Sequence, residues 1–235
     1  MVEFKNIHKS FGKHHVLKGI DLKIKTGETT AILGPNGSGK TTLIKILLGM
    51  NIADKGDVLV NQTSTKNDWS YRKSIDYLPQ IANFPGNIKV KEILDMIKDL
   101  RNQKTRDQEL IDYFGLQPYL KVKLNNLSGG YKQKVNLVLS LMFDSPFIIL
   151  DEPTSGLDPI SLIKLKKLLK EEQDKGKTIL ITSHVMNFVE EISDRISFIL
   201  DGKVYFDGNI EELKLTTGES DFEYAIANLL KRENV

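Results

Sequence analysis

The segment that most constrains the fold of this chain runs from Gly34 to Thr41 and has the sequence Gly-Pro-Asn-Gly-Ser-Gly-Lys-Thr. It fits the pattern G-x-x-x-x-G-K-[ST], in which glycines let backbone N–H groups turn inward toward phosphate oxygens. The apolar run Thr29–Leu33 precedes it, and a helix is predicted from Lys40 to Leu48 with its end at Gly49. This order directs the positive end of a helix at a bound anion. The sequence therefore predicts a phosphate-binding loop.

Two side chains of this loop have the chemistry that a nucleotide needs. Lys40 can neutralise phosphate oxygens, and the hydroxyl of Thr41 can bind Mg²⁺. The alternative is a glycine-rich turn with an incidental lysine. Average composition gives roughly a 1% chance that the four fixed positions match anywhere in a chain of this length. A nucleotide is therefore the favoured ligand.

The composition excludes several other kinds of site. Among 235 residues, 33 Lys and Arg balance 31 Asp and Glu, which gives a net charge of +2. A dedicated nucleic-acid binder usually has a concentrated basic excess, so no nucleic-acid partner is expected. The chain has no cysteine, which excludes a disulfide scaffold, a thiolate metal site and a Cys nucleophile. At about 150 residues per domain, the length predicts one to two domains.

The apolar segments are too short to cross a membrane. The longest is Leu137–Phe143, interrupted by Ser140, whereas a membrane helix needs about 20 residues. The first residues, Met-Val-Glu-Phe-Lys, contain no apolar stretch typical of a signal peptide. We therefore expect a cytoplasmic protein, for which another chain would supply any membrane spans.

The order of patterns predicts an α/β core that is interrupted by a helical block. Strand patterns dominate the first third, and residues 84–143 are mostly helical in pattern. Strands and helices then alternate. The runs Phe147–Leu150 and Ile179–Ile181 lack polar alternation, as is typical of a parallel sheet covered on both faces. A hairpin with its turn at Asp201-Gly202 follows, and residues 221–232 predict a terminal helix.

Two adjacent carboxylates follow one of these buried runs. Asp151 and Glu152 come directly after Phe147–Leu150, at the strand end where open α/β sheets bind ligands. Asp151 suits Mg²⁺, directly or through water. Glu152 is expected to point the opposite way and to polarise an attacking water as a general base. A hydrophobic run ending in Asp-Glu is common, so this hypothesis depends on the nearby phosphate-binding loop.

A second potential anion site lies at Leu127–Gly130. The helix after it is nearly apolar all round and is predicted to be buried. Ser128 is suited to cap that helix, and Gly129 and Gly130 leave N–H groups uncovered at its N-terminus. Taken alone, the segment is explained more simply as an ordinary capped helix. Two phosphate-binding devices in one chain of this size require a common explanation.

Four motifs, in order and spacing, resemble the ATPase subunits of ABC transporters. They are Gly34–Thr41, Leu127–Gly130, the Asp-Glu-Pro-Thr-Ser-Gly-Leu-Asp segment Asp151–Asp158, and Thr182-Ser183-His184, and the resemblance covers about residues 2–215. It implies a P-loop NTPase fold in the α/β class, with a RecA-like core, an antiparallel β portion and an inserted α-helical subdomain. The implied divisions of a single ABC ATPase domain (1–235) are a RecA-like and β lobe at about 1–83 and 146–215, a helical subdomain at about 84–145 and a C-terminal helix at about 219–232.

The resemblance also implies an activity and partners. The implied activity is hydrolysis of ATP with Mg²⁺, coupled to the movement of a substrate through separate transmembrane permease subunits. The implied assembly is a head-to-tail homodimer or heterodimer of ABC subunits, in which the loop of one subunit and the Leu127–Gly130 segment of the other enclose ATP. This arrangement explains why one chain has two half-sites. The expected location is the inner face of the cell membrane, through the permease.

The family's functional positions carry over residue by residue. The implied catalytic residues are Glu152 as base, His184 as the γ-phosphate contact, Lys40 and the glutamine Gln80. The implied metal ligands are Thr41, Gln80 and Asp151. The implied nucleotide-binding residues are Phe11, which stacks on adenine, Gly34, Pro35, Asn36, Gly37, Ser38, Gly39, Lys40, Thr41, Thr42, Ser128, Gly129, Gly130 and Asp158, the last of which links the two active sites.

One position departs from the family pattern. Tyr131 follows Gly130 where glutamine is usual, and similar tyrosine variants occur in exporter-like transporters. The stretch Leu78–Ile88 also resembles the ATPase linked to copper-site maturation of nitrous-oxide reductase. The alternative function is a soluble ABC ATPase in cluster or metal-site assembly, which the length allows. A GTPase is disfavoured because the chain has no Asn-Lys-x-Asp motif.

Overall fold

The computed structural model describes residues 1–66 and 68–231. The strands are β1 (Val2–Phe11), β2 (His14–Ile24), β3 (Thr29–Leu33), β4 (Lys55–Val60), β5 (Thr63–Ser64), β6 (Ile75–Leu78), β7 (Phe147–Asp151), β8 (Thr178–Thr182), β9 (Arg195–Leu200) and β10 (Lys203–Gly208). The helices are α1 (Lys40–Leu47), α2 (Val90–Arg101), α3 (Asp107–Phe114), α4 (Gly129–Leu141), α5 (Pro159–Asp174), α6 (Met186–Ile192), α7 (Ile210–Thr217) and α8 (Phe222–Lys231).

The strands form two sheets. The first is antiparallel, with four strands in the order β2-β1-β4-β5. The second has six strands in the order β10-β9-β3-β8-β7-β6, in which only the β9–β10 pair is antiparallel. Because β3, β7 and β8 run parallel, the loop after β3 and the residues after β7 and β8 meet at one edge of this sheet. The motifs that follow β3, β7 and β8 in the sequence therefore lie together at that edge.

The central strands are apolar without interruption because both faces of the larger sheet are covered. In β8, Ile179 and Ile181 belong to a core with the helices α4, α5 and α6, whereas Leu180 belongs to a core with α1 and the antiparallel sheet. In β7, Ile148 and Ile149 divide in the same way. Successive side chains of a strand point to opposite faces, so burial on both faces removes the polar alternation. The predicted buried parallel sheet is confirmed.

The chain between β6 and β7 contains the helices α2, α3 and α4. Helix α2 buries Val90, Ile93 and Leu94 on one face, as its apolar spacing predicts. Helix α4 is buried over most of its length, including the polar Gln133 and Ser140. The order of elements therefore matches the predicted α/β core interrupted by helices.

The C-terminal part contains one helix that the patterns did not predict. The hairpin β9–β10 turns at Asp201-Gly202, as predicted. Helix α7 follows, with a capping box in which the side chain of Asn209 accepts from the N–H of Glu212 and the Glu212 carboxylate accepts from the N–H of Asn209. The predicted terminal helix is present as α8. Its predicted last residue, 232, lies outside the described residues.

A buried carboxylate connects the α2–α3 loop to the core. Glu172, on α5, is fully buried and accepts from Arg106 Nη1 at 2.7 Å, from Lys175 Nζ at 2.8 Å and from Lys177 Nζ. Burial alone would raise the pKa of Glu172, but the hydrogen bonds from Arg106 and the two lysines outweigh it and lower the pKa to about 2. Arg106 also donates through Nε to the carbonyl of Leu141 at the end of α4.

We predict that Arg106→Met lowers the free energy of unfolding by about 1.5–3 kcal/mol at pH 7, because a buried charged hydrogen bond is lost while both lysines remain. Glu172 has a lowered pKa in the folded state, so its stabilisation is complete above its ordinary pKa near 4.5 and is lost as the pH falls toward 2. Urea denaturation should therefore show a difference between the two proteins that narrows below about pH 4.5. A difference independent of pH would contradict this account.

Candidate nucleotide-binding site

The loop between β3 and α1 needs glycine at its start, where there is no room for a side chain. Gly34 has φ +144°, and a Cβ placed there would overlap the carbonyl oxygen of Ile199 on β9. Helix α1 begins at Lys40 after Gly39, and no side chain caps it. Its first N–H groups are thus available to an anion, together with the positive end of the helix dipole.

Lys40 is folded back against its own loop. Its Nζ donates to the carbonyl of Gly34 at 2.8 Å and to that of Pro35 at 3.0 Å. Burial lowers the pKa of Lys40, and the charges of Glu152 and Asp151 oppose that shift. The ammonium group therefore lies among carbonyls and carboxylates, at the position where a phosphate would give it a stronger partner.

A cavity of about 430 Å³ opens in front of this loop. It is lined by Phe11, Val16, Asn36, Gly37, Gly39, Lys40, Thr41, Thr42, Gln80, Asp151 and Glu152. All of these except Val16 are positions that the family resemblance implied. Phe11 lies at the end of β1 with half of its surface exposed, and Lys9 Nζ lies 5.3 Å from its ring centroid. One flat aromatic face is thus presented beside a phosphate-binding loop.

Asp151 is held at the end of β7 by two hydroxyl groups. It is only 1% exposed, and it accepts from Thr41 Oγ1 at 2.9 Å and from Thr182 Oγ1 at 2.5 Å. Register explains the second contact, since Asp151 lies opposite Thr182 on the neighbouring strand β8. Together with burial, the charge of Asp151 raises the pKa of Tyr77 to about 12.

The spacing of these oxygens suits a magnesium ion. Neighbouring ligands of octahedral Mg²⁺, with bonds of about 2.0–2.1 Å, lie about 2.9 Å apart. The separation of Thr41 Oγ1 and Asp151 Oδ2 is 2.9 Å. Within residues 1–66 and 68–231, no three His, Asp or Glu side chains are arranged to hold a metal by themselves. Mg²⁺ usually binds through one or two protein oxygens plus phosphates and waters, so the residues present fit this ion.

Glu152 does not point away from Asp151 as the sequence suggested. Strand β7 ends at Asp151, and Glu152 takes φ +54°, which breaks the alternation of the strand and lets both carboxylates line the cavity. Its N–H donates to the carbonyl and the hydroxyl of Thr182, both at 3.1 Å. Its Oε2 lies 2.7 Å from Nδ1 of His184, whose side chain is 75% exposed. A carboxylate and an imidazole thus form a pair at the cavity edge.

The Leu127–Gly130 segment lies apart from this cavity. Ser128 occupies the N-cap of α4 and is exposed, but its side chain makes no capping hydrogen bond, which corrects the expectation of an ordinary cap. A Cβ on Gly130 would come within 2.8 Å of the carbonyl of Gly156, so only glycine permits this approach. The N-terminus of α4 therefore presents an uncapped end to solvent.

Several implied nucleotide-binding residues do not line the cavity. The structure places Gly34, Pro35, Ser38, Ser128, Gly129, Gly130, Asp158 and His184 outside its lining. Ser38 lies buried within the loop, and its Oγ has no hydrogen-bond partner there. Asp158 caps α5, where it accepts from the N–H and the hydroxyl of Ser161 at 2.8 and 2.9 Å. Capping of α5 is therefore enough to explain the position of the Asp158 side chain.

Sequence reasoning gave no role to Val16 or Thr182. Val16 lines the cavity from β2 and has no sequence signal, because an apolar strand residue is equally expected in a core. Thr182 contacts both Asp151 and Glu152. A prediction that β7 and β8 pair in parallel would have placed Thr182 beside Asp151.

Residues 17–155 match the family model described as ABC transporter. The chain belongs to the ABC transporter family. Residues 17–155 include the phosphate-binding loop, the Leu127–Gly130 segment and both carboxylates that line the cavity.

Curated relatives of this ABC protein match it over most of their length. A lantibiotic transport ATP-binding protein of Streptococcus pyogenes is 32% identical over 223 residues, covering 91% of this chain and 95% of the relative. A probable ABC transporter ATP-binding protein of Campylobacter jejuni is 35% identical, with 87% and 88% covered. An L-cystine import ATP-binding protein of Bacillus subtilis is 30% identical, with 91% and 87% covered.

Solved ABC structures share the same architecture. The ATP-binding subunit of an ABC transporter superposes with a TM-score of 0.89 at 25% identity, covering 98% of this chain and 99% of that one. A dimeric ATP-binding cassette in a post-hydrolysis state, bound to ADP and Pi, gives a TM-score of 0.78 at 28% identity, with 89% and 98% covered. The RecA-like core, antiparallel β portion and helical portion are therefore those of an ABC cassette.

The function of this ABC protein follows from its family. It binds and hydrolyses ATP and energises transport through membrane partners. Among the described residues, no helix has both the length and the apolar character needed to span a bilayer. The family and relatives therefore favour transport over the alternative function, a soluble ATPase in cluster or metal-site assembly.

Proposed function

We propose that two ABC subunits, identical or paired with a second kind, associate head to tail and enclose ATP at their interface. One observation carries the proposal. The cavity is lined by the phosphate-binding loop, Gln80 and both carboxylates, while the uncapped α4 terminus at Ser128–Gly130 faces solvent outside it. A second subunit that presents its own α4 terminus completes the site. A solved relative in dimeric form, bound to ADP and Pi, supports this arrangement.

In this proposal, each part of the nucleotide has its own partners. The ring of Phe11 stacks on adenine, and the N–H groups of Gly37–Thr42 cradle the β- and γ-phosphates beside the ammonium group of Lys40. Gly34 and Pro35 shape the start of the loop, and Asn36 lines the cavity beside it. Ser128, Gly129 and Gly130 of the partner subunit approach the γ-phosphate from the other side.

Thr41, Gln80 and Asp151, which all line the cavity, would hold Mg²⁺. The ion supplies charge neutralisation at the phosphate oxygens when it is bound. Asp151 is preorganised for this role, because Thr182 fixes one carboxylate oxygen and leaves the other toward Thr41.

Glu152 is proposed to accept the proton of the attacking water. Its backbone is fixed by Thr182, and its Oε2 lies beside His184 before ATP binds. Gln80, which also lines the cavity, orients the water. His184 is paired with Glu152 and moves to the γ-phosphate when ATP binds. Lys40 stabilises the charge of the transferred phosphoryl group. Hydrolysis then adds like charge at the interface and opens the dimer.

The location and partners follow from the same proposal. The chain attaches to the inner face of the cell membrane through transmembrane permease subunits on separate chains. Near-neutral net charge, +2, supports the absence of a nucleic-acid partner.

We also propose that the permease is exporter-like. The ring of Tyr131, which replaces the usual glutamine, stacks on Tyr119 with centroids 3.9 Å apart and so faces the helical portion of the chain. The similarity of Leu78–Ile88 to the copper-maturation ATPase of nitrous-oxide reductase points to one such group. The membrane protein that co-purifies with this chain identifies the permease. An importer permease would contradict the proposal.

The dimer is tested with Glu152→Gln, which should trap ATP. Sedimentation of this variant with ATP and Mg²⁺ should give a species of twice the mass of the monomer, and ADP should give the monomer. Adding Ser128→Arg to the same variant places a bulky charge on an exposed residue outside the cavity. The double variant should bind ATP and remain monomeric. A dimer that tolerates Ser128→Arg, or no dimer at all, would refute the head-to-tail arrangement.

A further inference from the structure

The end of β1 that carries Phe11 is held by one carboxylate of the loop between α1 and β4. Strand β4 begins at Lys55, opposite His8, so within the described residues it pairs with β1 only as far as His8. Asp54 takes over at this point. Its N–H donates to the carbonyl of His8 at 2.8 Å, and its Oδ2 accepts from the N–H of Ser10 at 2.6 Å. The last residues of β1 are therefore bonded to Asp54 where β4 no longer reaches them.

Lys9 lies between this carboxylate and the aromatic ring of Phe11. Its Nζ donates to Oδ1 of Asp54 at 2.9 Å and lies 5.3 Å from the ring centroid. Only 16% of the lysine side chain is exposed. The hydrogen bond from Lys9, with the one from the N–H of Ser10, lowers the pKa of Asp54 below its ordinary value. Asp54 is therefore charged at neutral pH and holds the ammonium group beside the ring.

The contact with Lys9 leaves the cavity side of the Phe11 ring free. Phe11 lines the nucleotide cavity, whereas neither Lys9 nor Asp54 belongs to its lining. A cation is attracted to the face of an aromatic ring, so the ammonium group restrains the tilt of a side chain that is otherwise half exposed. A ring whose plane is already fixed loses less conformational freedom when a flat base stacks on it.

We propose that Lys9 and Asp54 are positioning residues for the adenine base, which fix the plane of the Phe11 ring before ATP enters the cavity. Neither side chain touches the nucleotide. They raise the affinity for ATP through the base alone and leave the chemistry at Glu152 unaffected. This inference rests on the proposed stacking of Phe11 on adenine.

The pair can be altered while the ring itself is kept. Lys9→Leu keeps an apolar stem beside the ring and removes the ammonium group, whereas Lys9→Arg keeps a charged donor. Asp54→Ala removes the acceptor of both Lys9 and the N–H of Ser10. Lys55→Leu is the matched control, because Lys55 is an exposed lysine that follows Asp54 directly in the chain.

The experiment measures the dissociation constants of ATP and of inorganic tripolyphosphate for the full-length chain by calorimetry. Tripolyphosphate has the phosphates of ATP without the base. We expect Lys9→Leu to weaken ATP binding about threefold, since a cation–π contact at an exposed site contributes roughly a factor of two to five. Asp54→Ala should weaken it about tenfold, because the N–H of Ser10 also loses its acceptor. Unchanged tripolyphosphate binding and an unchanged kcat at saturating ATP should show that both variants are folded.

Lys9→Leu is also combined with Phe11→Ala. In that background it should weaken ATP binding no further, because the ammonium group acts only through the ring. Lys9→Arg and Lys55→Leu should match the unmodified chain. Equal losses for ATP and tripolyphosphate, a lowered kcat in Lys9→Leu, or additive losses with Phe11→Ala would overturn the inference and leave the pair with a structural role alone.

Failure of this inference differs from failure of the proposed stacking. If Phe11→Ala left the affinity for ATP unchanged, Phe11 would not hold adenine, and that part of the proposed function would be refuted. If Phe11→Ala weakened ATP binding while Lys9→Leu and Asp54→Ala did not, only the positioning role of Lys9 and Asp54 would be refuted.

Discussion

Replacing Glu152 with glutamine should reduce the turnover number for ATP hydrolysis by about 10²–10⁴-fold, the usual contribution of a general base. The amide of glutamine has nearly the shape of the carboxylate but cannot accept a proton at neutral pH. Glu152 lines the cavity, its N–H is fixed by Thr182 and its Oε2 meets His184, so the substitution changes the chemistry of the side chain and little of its position. The expected result is a protein that binds ATP and scarcely hydrolyses it.

The measurement is phosphate release at saturating ATP, with ATP affinity determined separately. Glu191→Gln is the matched control, since Glu191 is 58% exposed and its pair with Lys166 is a surface ion pair. That variant should keep the rate of the unmodified chain. If Glu152→Gln retained more than about a tenth of the activity, proton transfer to Glu152 would not be part of the reaction, because a base contributes at least about 10²-fold.

The sequence predicted the fold well wherever one local pattern determines the structure. The loop at Gly34–Thr41 requires a strand before it and a helix after it, and β3 and α1 are there. The uninterrupted apolar runs at Phe147–Leu150 and Ile179–Ile181 required a sheet covered on both faces, which the two hydrophobic cores provide. Helix α7 escaped prediction because its apolar spacing is weak and its start depends on the capping box of Asn209.

The sequence predicted the site less well where side-chain directions depend on the residue at which a strand or helix ends. Strand alternation predicted that Asp151 and Glu152 point apart. The strand ends at Asp151, and the positive φ of Glu152 cancels the alternation. A pattern of residue types cannot show where a strand stops to within one residue.

The same limit applies to pairs that are distant in sequence. Ser128 was expected to cap α4, yet its side chain makes no capping bond, whereas Asp158 caps α5 and pairs with Lys134. The pairing of Lys134 with Asp158 depends on how α4 packs beside the connection after β7. The spacing of residues within either segment therefore cannot predict the Lys134–Asp158 ion pair.

Replacing Lys40 with alanine should weaken ATP binding by about a hundredfold, because Lys40 is half-buried and loss of one partner of a hydrogen-bonded charge pair in a binding site costs roughly 2–5 kcal/mol. The ammonium of Lys40 lies over its loop, bonded to Gly34 and Pro35 and facing Asp151 and Glu152. A triphosphate entering the cavity would otherwise meet two carboxylates without a compensating cation. Titration of a fluorescent ATP analogue measures the change directly.

The control for Lys40→Ala is Lys45→Ala on the same helix. Lys45 is exposed in the last turn of α1, so its removal costs only the few tenths of a kcal/mol that a cation contributes at a helix C-terminus. ATP affinity should then be unchanged. Because Lys40 acts on charge, its loss should weaken binding of ATP more than binding of adenosine, which carries no phosphate and depends on Phe11 instead. Equal losses for both ligands would show that Lys40→Ala had collapsed the loop, and the assignment of Lys40 to the phosphates would fail.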